Sequence, residues 1–284
     1  MPRVSRRQFL LGGLGGVGVA AVGAAAGLET AQGRRALRRL GLVHGVDGPV
    51  PRAGAGLAVE RGVLAVSGRR FRLVRTGSGA GPVLAVACLH GRNNDEGFAF
   101  DSIGVHRFAA AAGLDVVVAS LDGGAAEYWH RRRSGRDAMA ALVDELVPRM
   151  DARSGGGPRA VLGWSMGGFG ALLAGLEHPE VFSAVAAASP AVWRRAGDTS
   201  PGAFDGPEDF ARHDVLARAG ALGPDGRLRV RVRIDNGADD PFLSTTRELL
   251  RRVPGVAGGV RPGTHDAGFW RTLVPAQLAF LTTG

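Results

Sequence analysis

The stretch Ala160-Val161-Leu162-Gly163-Trp164-Ser165-Met166-Gly167-Gly168-Phe169-Gly170 decides the fold of this chain. An apolar run meets Gly-x-Ser-x-Gly, and a helix-compatible segment continues to Glu177. Strand, sharp turn and helix form the context in which this motif makes a nucleophile elbow. A Cβ at Gly163 or Gly167 would collide with the neighbouring strand or helix, and the N-terminus of the following helix favours negative charge beside the serine. Ser165 is therefore the candidate nucleophile.

A serine hydroxyl needs a base within hydrogen-bond reach, and that base needs a carboxylate to orient it. Three histidines follow Ser165 in the sequence. His178 lies on the predicted elbow helix and His213 lies in an irregular segment. His265 lies in a loop between the last predicted strand and the last predicted helix, where the chain order Ser, Asp or Glu, His requires the base. His265 is the candidate base.

The acid is expected in the loop after a strand predicted over Leu228 to Ile234. Three aspartates lie there, namely Asp235, Asp239 and Asp240. Pro241 suits the first position of a helix, so a helix N-cap is the structural alternative for Asp240. We favour Asp240 as the acid and keep Asp239 and Asp235 as alternatives.

Two backbone amides are candidates for stabilising a tetrahedral intermediate, which needs two donors aimed at its oxyanion. One is the N–H of Met166, directly after the nucleophile. The other is the N–H of Arg92, in the loop that follows a buried strand predicted over Val83 to Leu89. His90 precedes the elbow in sequence and is expected to shape this loop rather than act as a base.

Buried apolar strands alternate with helices along the chain, which predicts an α/β fold with a doubly wound, mainly parallel sheet. An antiparallel pair is expected to open the domain. The predicted strands are 57–66, 70–75, 83–89, 115–120, 160–162, 181–188, 228–234 and 256–261. The predicted helices are 98–113, 137–150, 169–177, 241–252 and 268–281, with a short one near 208–212. The irregular segment 190–226 is too short for a large lid.

Composition and motif spacing argue against nucleic-acid binding and give no sign of a metal site. The formal charge is +9, yet every basic residue is arginine and most lie between acids, which argues against nucleic-acid binding. The histidines show no His-x-His and no His-Glu-x-x-His, so no metal site is indicated. The cluster Arg131 to Arg133 has no assigned role. A weak attraction to anionic surfaces or lipids stays open.

The N-terminus has the pattern of an export signal. Arg6-Arg7-Gln8-Phe9-Leu10 carries the paired arginine, and a mild apolar stretch rich in Gly and Ala follows. Residues 1–28 are therefore interpreted as a twin-arginine signal for secretion, with an uncleaved membrane anchor as the alternative. Residues 29–56 are interpreted as a basic, Pro/Gly-rich linker, and residues 57–284 as the catalytic domain.

Five motifs between Val83 and the C-terminus carry a family resemblance. They are Leu89-His90-Gly91-Arg92, Leu121-Asp122-Gly123-Gly124 with Tyr128-Trp129-His130, Gly163-Trp164-Ser165-Met166-Gly167-Gly168, Gly237-Ala238-Asp239-Asp240-Pro241-Phe242-Leu243 and His265-Asp266-x-x-Phe269-Trp270. With them the chain resembles the esterase D / mycolyltransferase branch of the α/β-hydrolases. The resemblance matches Ser165, Asp240 and His265 to the triad and Arg92 and Met166 to the oxyanion donors, and it implies neither a large cap nor a cofactor.

Three functions are compatible with these features. The first is an exported serine hydrolase of carboxylic esters or thioesters, acting on a small-molecule or lipid ester through an acyl-enzyme. The second is a transferase that hands a fatty or mycolic-type acyl group to a sugar or glyceride alcohol. The third is a non-catalytic cell-envelope binding protein on the same scaffold. Trp129 and Trp193 are candidate substrate contacts, with ordinary core aromatics as the alternative.

Overall fold

A central sheet of eight strands organises the computed structural model, which describes residues 47–52 and 56–283. The strands are β1 (Glu60–Val63), β2 (Arg70–Arg75), β3 (Ala85–Leu89), β4 (Val117–Leu121), β5 (Arg159–Trp164), β6 (Ala184–Ala188), β7 (Arg231–Gly237) and β8 (Ala257–Arg261). Their order across the sheet is β1-β2-β4-β3-β5-β6-β7-β8. β1 pairs antiparallel with β2, and β2 pairs antiparallel with β4. All other pairs are parallel.

The strand order reverses between β3 and β5, and this reversal decides where a site can form. From β3 the chain moves outward to β4, and it then returns to the other side of β3 to form β5. Loops leaving neighbouring strands in opposite directions open a crevice at the carboxyl edge of a parallel sheet. The loop after β3 and the elbow after β5 both lie at this crevice.

Helices cover both faces of the sheet. They are α1 (Val105–Ala111), α2 (Ala138–Ala140), α3 (Val147–Ser154), α4 (Met166–Glu177), α5 (Pro207–Arg212), α6 (Val215–Arg218), α7 (Leu243–Arg252) and α8 (Ala267–Thr282). One hydrophobic core packs α2, α3, α4 and α6 on one face, and a second core packs α1 and α8 on the other. The predicted α/β-hydrolase fold with a doubly wound sheet is therefore confirmed, and the described residues contain no large cap.

Two predicted helices contain π-helical turns. The helix predicted over 98–113 is π-helical over Phe98–Ile103, stops at Gly104 and resumes as α1. Gly104 has φ 80°, a left-handed conformation that glycine adopts without steric cost. The helix predicted over 137–150 begins after Asp137, whose carboxylate accepts from the amide of Ala140, and continues to Ser154 through the π-helical segment Ala141–Leu146.

Strand β7 differs most from its sequence prediction. Alternating arginines suggested a half-exposed strand over 228–234, but β7 is displaced to Arg231–Gly237 and is almost entirely buried. It is interior because β6 and β8 pair with it on either side. Arg233 tolerates this burial because its guanidinium binds both carboxylate oxygens of Asp235, at 2.7 and 2.8 Å. In the sequence, an arginine that is buried and paired with an aspartate two residues away gives the same alternation of polar and apolar residues as an exposed arginine.

Part of the predicted linker lies against the catalytic domain. The amide of Gly48 donates to the carbonyl of Gly268 at 2.9 Å, and the guanidinium of Arg271 donates to the carbonyl of Gly48 at 3.3 Å. The segment predicted as irregular, 190–226, contains two short helices, α5 and α6, where one was expected. The predicted signal, residues 1–28, lies outside the described residues.

Candidate active site

The elbow holds Ser165 in a strained backbone conformation. Its φ of 55° and ψ of −116° are sparsely populated for a residue with a side chain. A Cβ on Gly163 would collide with the carbonyl of Gly167, and a Cβ on Gly167 would collide with the carbonyl of Leu89. The two glycines therefore let strand β5, helix α4 and strand β3 approach closely enough to close the turn. Ser165 stands at the N-terminus of α4, whose first amide belongs to Met166.

His265 lies within hydrogen-bond distance of Ser165. The distance between His265 Nε2 and Ser165 Oγ is 2.8 Å. The loop of His265 is anchored by Asp266, which caps α8 by accepting from the amide of Phe269 and also accepts from the hydroxyl of Thr264. The imidazole also lies edge-on to the indole of Trp270, at 5.1 Å between ring centroids. The cap and the aromatic contact fix the ring's orientation.

Asp240 is the aspartate that reaches His265. Its Oδ2 lies 2.8 Å from His265 Nδ1, and its side chain is fully shielded from solvent. Helix α7 begins at Leu243 with Phe242 as its cap, so Asp240 is not the N-cap that Pro241 suggested. Its Oδ1 instead accepts from the amide of Phe242 at 2.8 Å.

The two alternative aspartates do not occupy this position. Asp235 is bound by both nitrogens of the Arg233 fork at the buried carboxyl end of β7. Asp239 is half-buried one residue before Asp240, and its amide donates to the carbonyl of Gly263. The geometry thus selects Asp240 among the three candidates.

The surroundings of Asp240 favour its ionised form. Burial by itself would raise the pKa of this carboxyl, but the neighbouring His265 and hydrogen bonds from His265, Ser189 and the Phe242 amide together hold the pKa below its usual range. Ser189 is fully buried, and its Oγ also accepts from the indole N–H of Trp270 at 2.9 Å. A chain of contacts therefore runs from Trp270 through Ser189 and Asp240 to His265.

Sequence analysis missed Ser189. It directly follows the wholly apolar strand β6, at the same edge of the sheet as Ser165. A polar residue at the carboxyl end of a buried strand was the available signal. Its φ of 49° is unusual for serine and turns the chain sharply after β6.

The two predicted oxyanion donors lie in the segments expected for them. Met166 is the first residue of α4, so its amide has no carbonyl one turn earlier to bind. Arg92 lines the same cavity as Ser165, and its amide has no hydrogen-bond partner among the described residues. His90 shapes this loop as expected, since its Nε2 accepts from the amide of Gly123 at 2.8 Å and its Nδ1 lies 2.7 Å from the carbonyl of Gly91.

Ser165 and His265 open into a cavity of about 1100 Å³. One wall of the cavity is aromatic. The aromatic lining residues are Phe98, Tyr128, Trp193, Phe242 and Trp270. Trp193 lies edge-on to Phe242 at 5.6 Å and tilted against Tyr128 at 5.2 Å. The cavity can therefore hold an apolar group beside the serine hydroxyl.

The prediction that Trp129 contacts substrate needs correction, whereas Trp193 does line the cavity. Trp129 is fully buried, its indole packs against Gly170 of the elbow helix, and its Nε1 lies 3.4 Å from the carbonyl of His90. Tyr128 lines the cavity in its place. Tyr128 and Trp129 have φ of 51° and 60°, so the chain turns sharply and sends the two side chains to different surroundings.

Comparison with known proteins agrees with this architecture. The model of the family described as "Putative esterase" matches residues 78–281. A ferulic acid esterase shares 18% identity at a TM-score of 0.66, with 80% of this chain and 97% of that chain covered. An S-formylglutathione hydrolase from Agrobacterium tumefaciens shares 18% identity at a TM-score of 0.62, with 80% and 94% covered.

A third similar structure is MPT51 (FbpC1) of Mycobacterium tuberculosis, with 18% identity, a TM-score of 0.61 and 80% and 98% of the two chains covered. At these identities the similarity establishes the fold alone. No curated protein matches the sequence. The family match covers most of the chain, and the predicted resemblance is confirmed by it: the chain belongs to the "Putative esterase" family, the α/β-hydrolase-type serine esterases.

Proposed function

We propose that this esterase hydrolyses carboxylic esters or thioesters through a triad of Ser165, His265 and Asp240 and a covalent acyl-enzyme. One observation carries the proposal. The Oγ of Ser165 and the Oδ2 of Asp240 lie at 2.8 Å from opposite nitrogens of the same imidazole. This arrangement makes the serine a nucleophile because the ring can take its proton while the carboxylate stabilises the resulting imidazolium.

The reaction follows from these contacts in two halves. The Ser165 proton passes to His265 Nε2 as Oγ attacks the substrate carbonyl, and the amides of Arg92 and Met166 donate to the oxyanion. Collapse of the intermediate expels the alcohol or thiol, which takes the proton from Nε2 and leaves an acyl-serine ester. Water then repeats the sequence, giving its proton to His265, and releases the carboxylic acid and free Ser165.

The aromatic wall supports an ester with an apolar group, from a small molecule or a lipid. Trp193 and Phe242 line the same cavity as Ser165 and supply apolar surface for such a group. Hydrolysis and acyl transfer share the acyl-enzyme and differ only in whether water or a bound alcohol attacks it. Product analysis with added glycerol or sugar separates them, because a transferase gives the acylated alcohol in place of free acid.

Export by the twin-arginine route is the part of the proposal that rests on sequence. The paired arginine, Arg6-Arg7, and the Gly/Ala-rich stretch after it support export. Among the described residues, no helix is long and apolar enough to cross a bilayer. Fractionation of cells that express the chain, with Arg6 and Arg7 both changed to Lys, tests the route. Loss of the extracytoplasmic pool is expected, and an unchanged pool contradicts it.

A fluorophosphonate probe tests the catalytic core. The folded chain is expected to become labelled at Ser165, and Ser165→Ala to remain unlabelled. A panel of p-nitrophenyl esters of increasing chain length then measures the acyl preference. A folded chain that neither labels nor cleaves any ester would favour the non-catalytic binding protein instead.

A further inference from the structure

Three potential metal-ligating side chains converge outside the active-site cavity. His130, Asp209 and His213 each bring one donor atom to within 4.8 Å of the others. His130 Nδ1 lies 3.8 Å from one oxygen of Asp209, and His213 Nδ1 lies 3.2 Å from the other. In a tetrahedral zinc site, two neighbouring ligand atoms stand about 3.3 Å apart. The two nitrogen–oxygen separations here are close to that value, so the three side chains can share one ion.

His130 meets more hydrogen-bond acceptors than a neutral imidazole can satisfy. Its Nε2 lies 3.0 Å from the carbonyl of Ala203, and its Nδ1 lies 3.0 Å from the carbonyl of Arg131 and near Asp209. A neutral ring carries one proton, so one nitrogen must aim a lone pair at oxygen. A cation beside Nδ1 removes the conflict.

The hydrogen bond at the far side of His130 matches that of a metal-bound histidine. Such a histidine donates its other ring N–H to a carboxylate or a backbone carbonyl, which fixes the tautomer and strengthens the ligating nitrogen. If Nε2 carries the proton and donates to Ala203, Nδ1 is unprotonated and presents its lone pair on the side where Asp209 lies. His213 adds a second imidazole, stacked on His130 at 4.3 Å between ring centroids. Its Nδ1 also lies 2.9 Å from the backbone carbonyl of Asp209, so ligation through Nδ1 would replace that contact.

Four arginines line the neighbouring cavity, and two of them, Arg132 and Arg212, are engaged with carboxylates. Arg132 donates to Asp205 at 2.8 Å, and Arg212 donates to Asp209 at 3.1 Å. The Asp209 carboxylate also accepts from the amide of Asp205, which holds it in place. A cavity of about 370 Å³ borders Asp209 and His213 and offers a route for an ion and for a water as fourth ligand.

We propose that His130, Asp209 and His213 form a site for a divalent transition-metal ion, of which Zn²⁺ suits the two-imidazole, one-carboxylate donor set. The ion would join the loop that carries Tyr128 to the segment 199–213, since His130 also stacks on Phe204 at 5.1 Å. The ring centroid of Phe204 lies 6.0 Å from that of Tyr128 and 6.2 Å from that of Trp193. Because Phe204 contacts both rings, an ion that holds His130 in place would also stiffen the aromatic wall of the cavity. The site does not depend on the proposed triad.

Zinc titration of the purified full chain tests the site. After treatment with a chelator, circular dichroism establishes that the chain is folded, and ZnCl₂ is added during calorimetry and during thermal unfolding. One Zn²⁺ per chain is expected. The Tm is expected to rise by about 5–10 °C at zinc concentrations near a hundred times Kd. Co²⁺ in place of Zn²⁺ should give the visible absorption of a tetrahedral site.

Single substitutions identify the ligands. His130→Asn and His213→Asn are each expected to weaken zinc binding by at least about tenfold, while His178→Asn, at a half-buried histidine elsewhere, retains it. Asp209→Asn also removes the ion pair with Arg212, so the histidine variants decide. Fewer than one bound Zn²⁺, or equal affinity in the histidine variants and in the original chain, overturns the proposal.

Discussion

Two histidines of this protein differ in what their ring nitrogens meet. His265 has a carboxylate at Nδ1 and a hydroxyl at Nε2. The carboxylate can only accept, whereas the hydroxyl can also donate, so one neutral tautomer satisfies both contacts and a proton can move in from Ser165. His130 has oxygen acceptors at both nitrogens and, among the described residues, no donor. The first arrangement suits proton transfer, and the second suits a bound cation.

The largest expected effect comes from removing the hydroxyl beside His265. Ser165→Ala is expected to lower kcat by roughly 10⁶-fold, because the nucleophile and its base act as a unit. Thermal unfolding should show an intact fold, since Ser165 is half-buried and lines the cavity, and the change removes only its hydroxyl. Retention of the original kcat/KM in this variant would refute the triad.

A somewhat smaller effect is expected when the carboxylate beside His265 loses its charge. Asp240→Asn should lower kcat by about 10⁴-fold, because an amide can hold the ring in the wrong tautomer and cannot stabilise the imidazolium. Asp239→Asn is the matched control, since it changes the adjacent residue, and it should stay within a few-fold of the original. A larger loss in Asp239→Asn would transfer the acid role to that residue.

A moderate effect is expected from the buried serine behind Asp240. Ser189→Ala removes one hydrogen bond to the carboxylate and leaves the indole N–H of Trp270 without its acceptor. We expect kcat to fall by about tenfold, which corresponds to the typical free-energy contribution of one hydrogen bond to a charged group, with KM nearly unchanged. The acid limb of the pH–rate profile should also move to higher pH, because the carboxylate is then less stabilised.

Ser183→Ala is the matched control for this prediction. Ser183 stands at the other end of strand β6, is exposed, and donates only to the carbonyl of Arg159. Its kinetics should match those of the original chain. Equal pH–rate profiles for the two serine variants would show that Ser189 has no influence on Asp240.

The smallest expected effect lies beside His130 and depends on pH. Hydrogen bonds from the Arg132 guanidinium and the Arg133 amide lower the pKa of Asp205 to about 2. Since this pKa is below that of the unfolded chain, the stabilisation is complete above about pH 5 and is lost as the pH falls towards 2. Asp205→Asn should lower Tm by about 1–3 °C at pH 7, because the pair is partly exposed.

Thermal unfolding from pH 7 down to pH 2 measures this dependence. The Tm difference between Asp205→Asn and the original chain should close as the pH approaches 2. Asp144→Asn, on the exposed side of the helical segment before α3, serves as the control and should show a small difference at every pH. A difference for Asp205→Asn that stays constant across the range would contradict the ionic origin of the effect.

Features that depend on residues close together in the sequence could be predicted, whereas features that depend on distant residues could not. The elbow was predictable because Gly163, Ser165 and Gly167 meet within one turn of chain. Helix ends at Asp137 and Asp266 follow from local capping. The burial of β7 was not predictable, because it depends on strands β6 and β8 on either side and on the pairing of Arg233 with Asp235.

The sequence by itself determined the alternation of strands and helices, the identity of the nucleophile candidate and the chain order of serine, acid and histidine. Only the tertiary structure decided which of three aspartates meets His265, why Tyr128 rather than Trp129 lines the cavity, and that His130, Asp209 and His213 converge. The physical reason is distance along the chain. Local backbone sterics and periodicity fix the first group, whereas the second depends on how separate loops pack at the edges of one sheet.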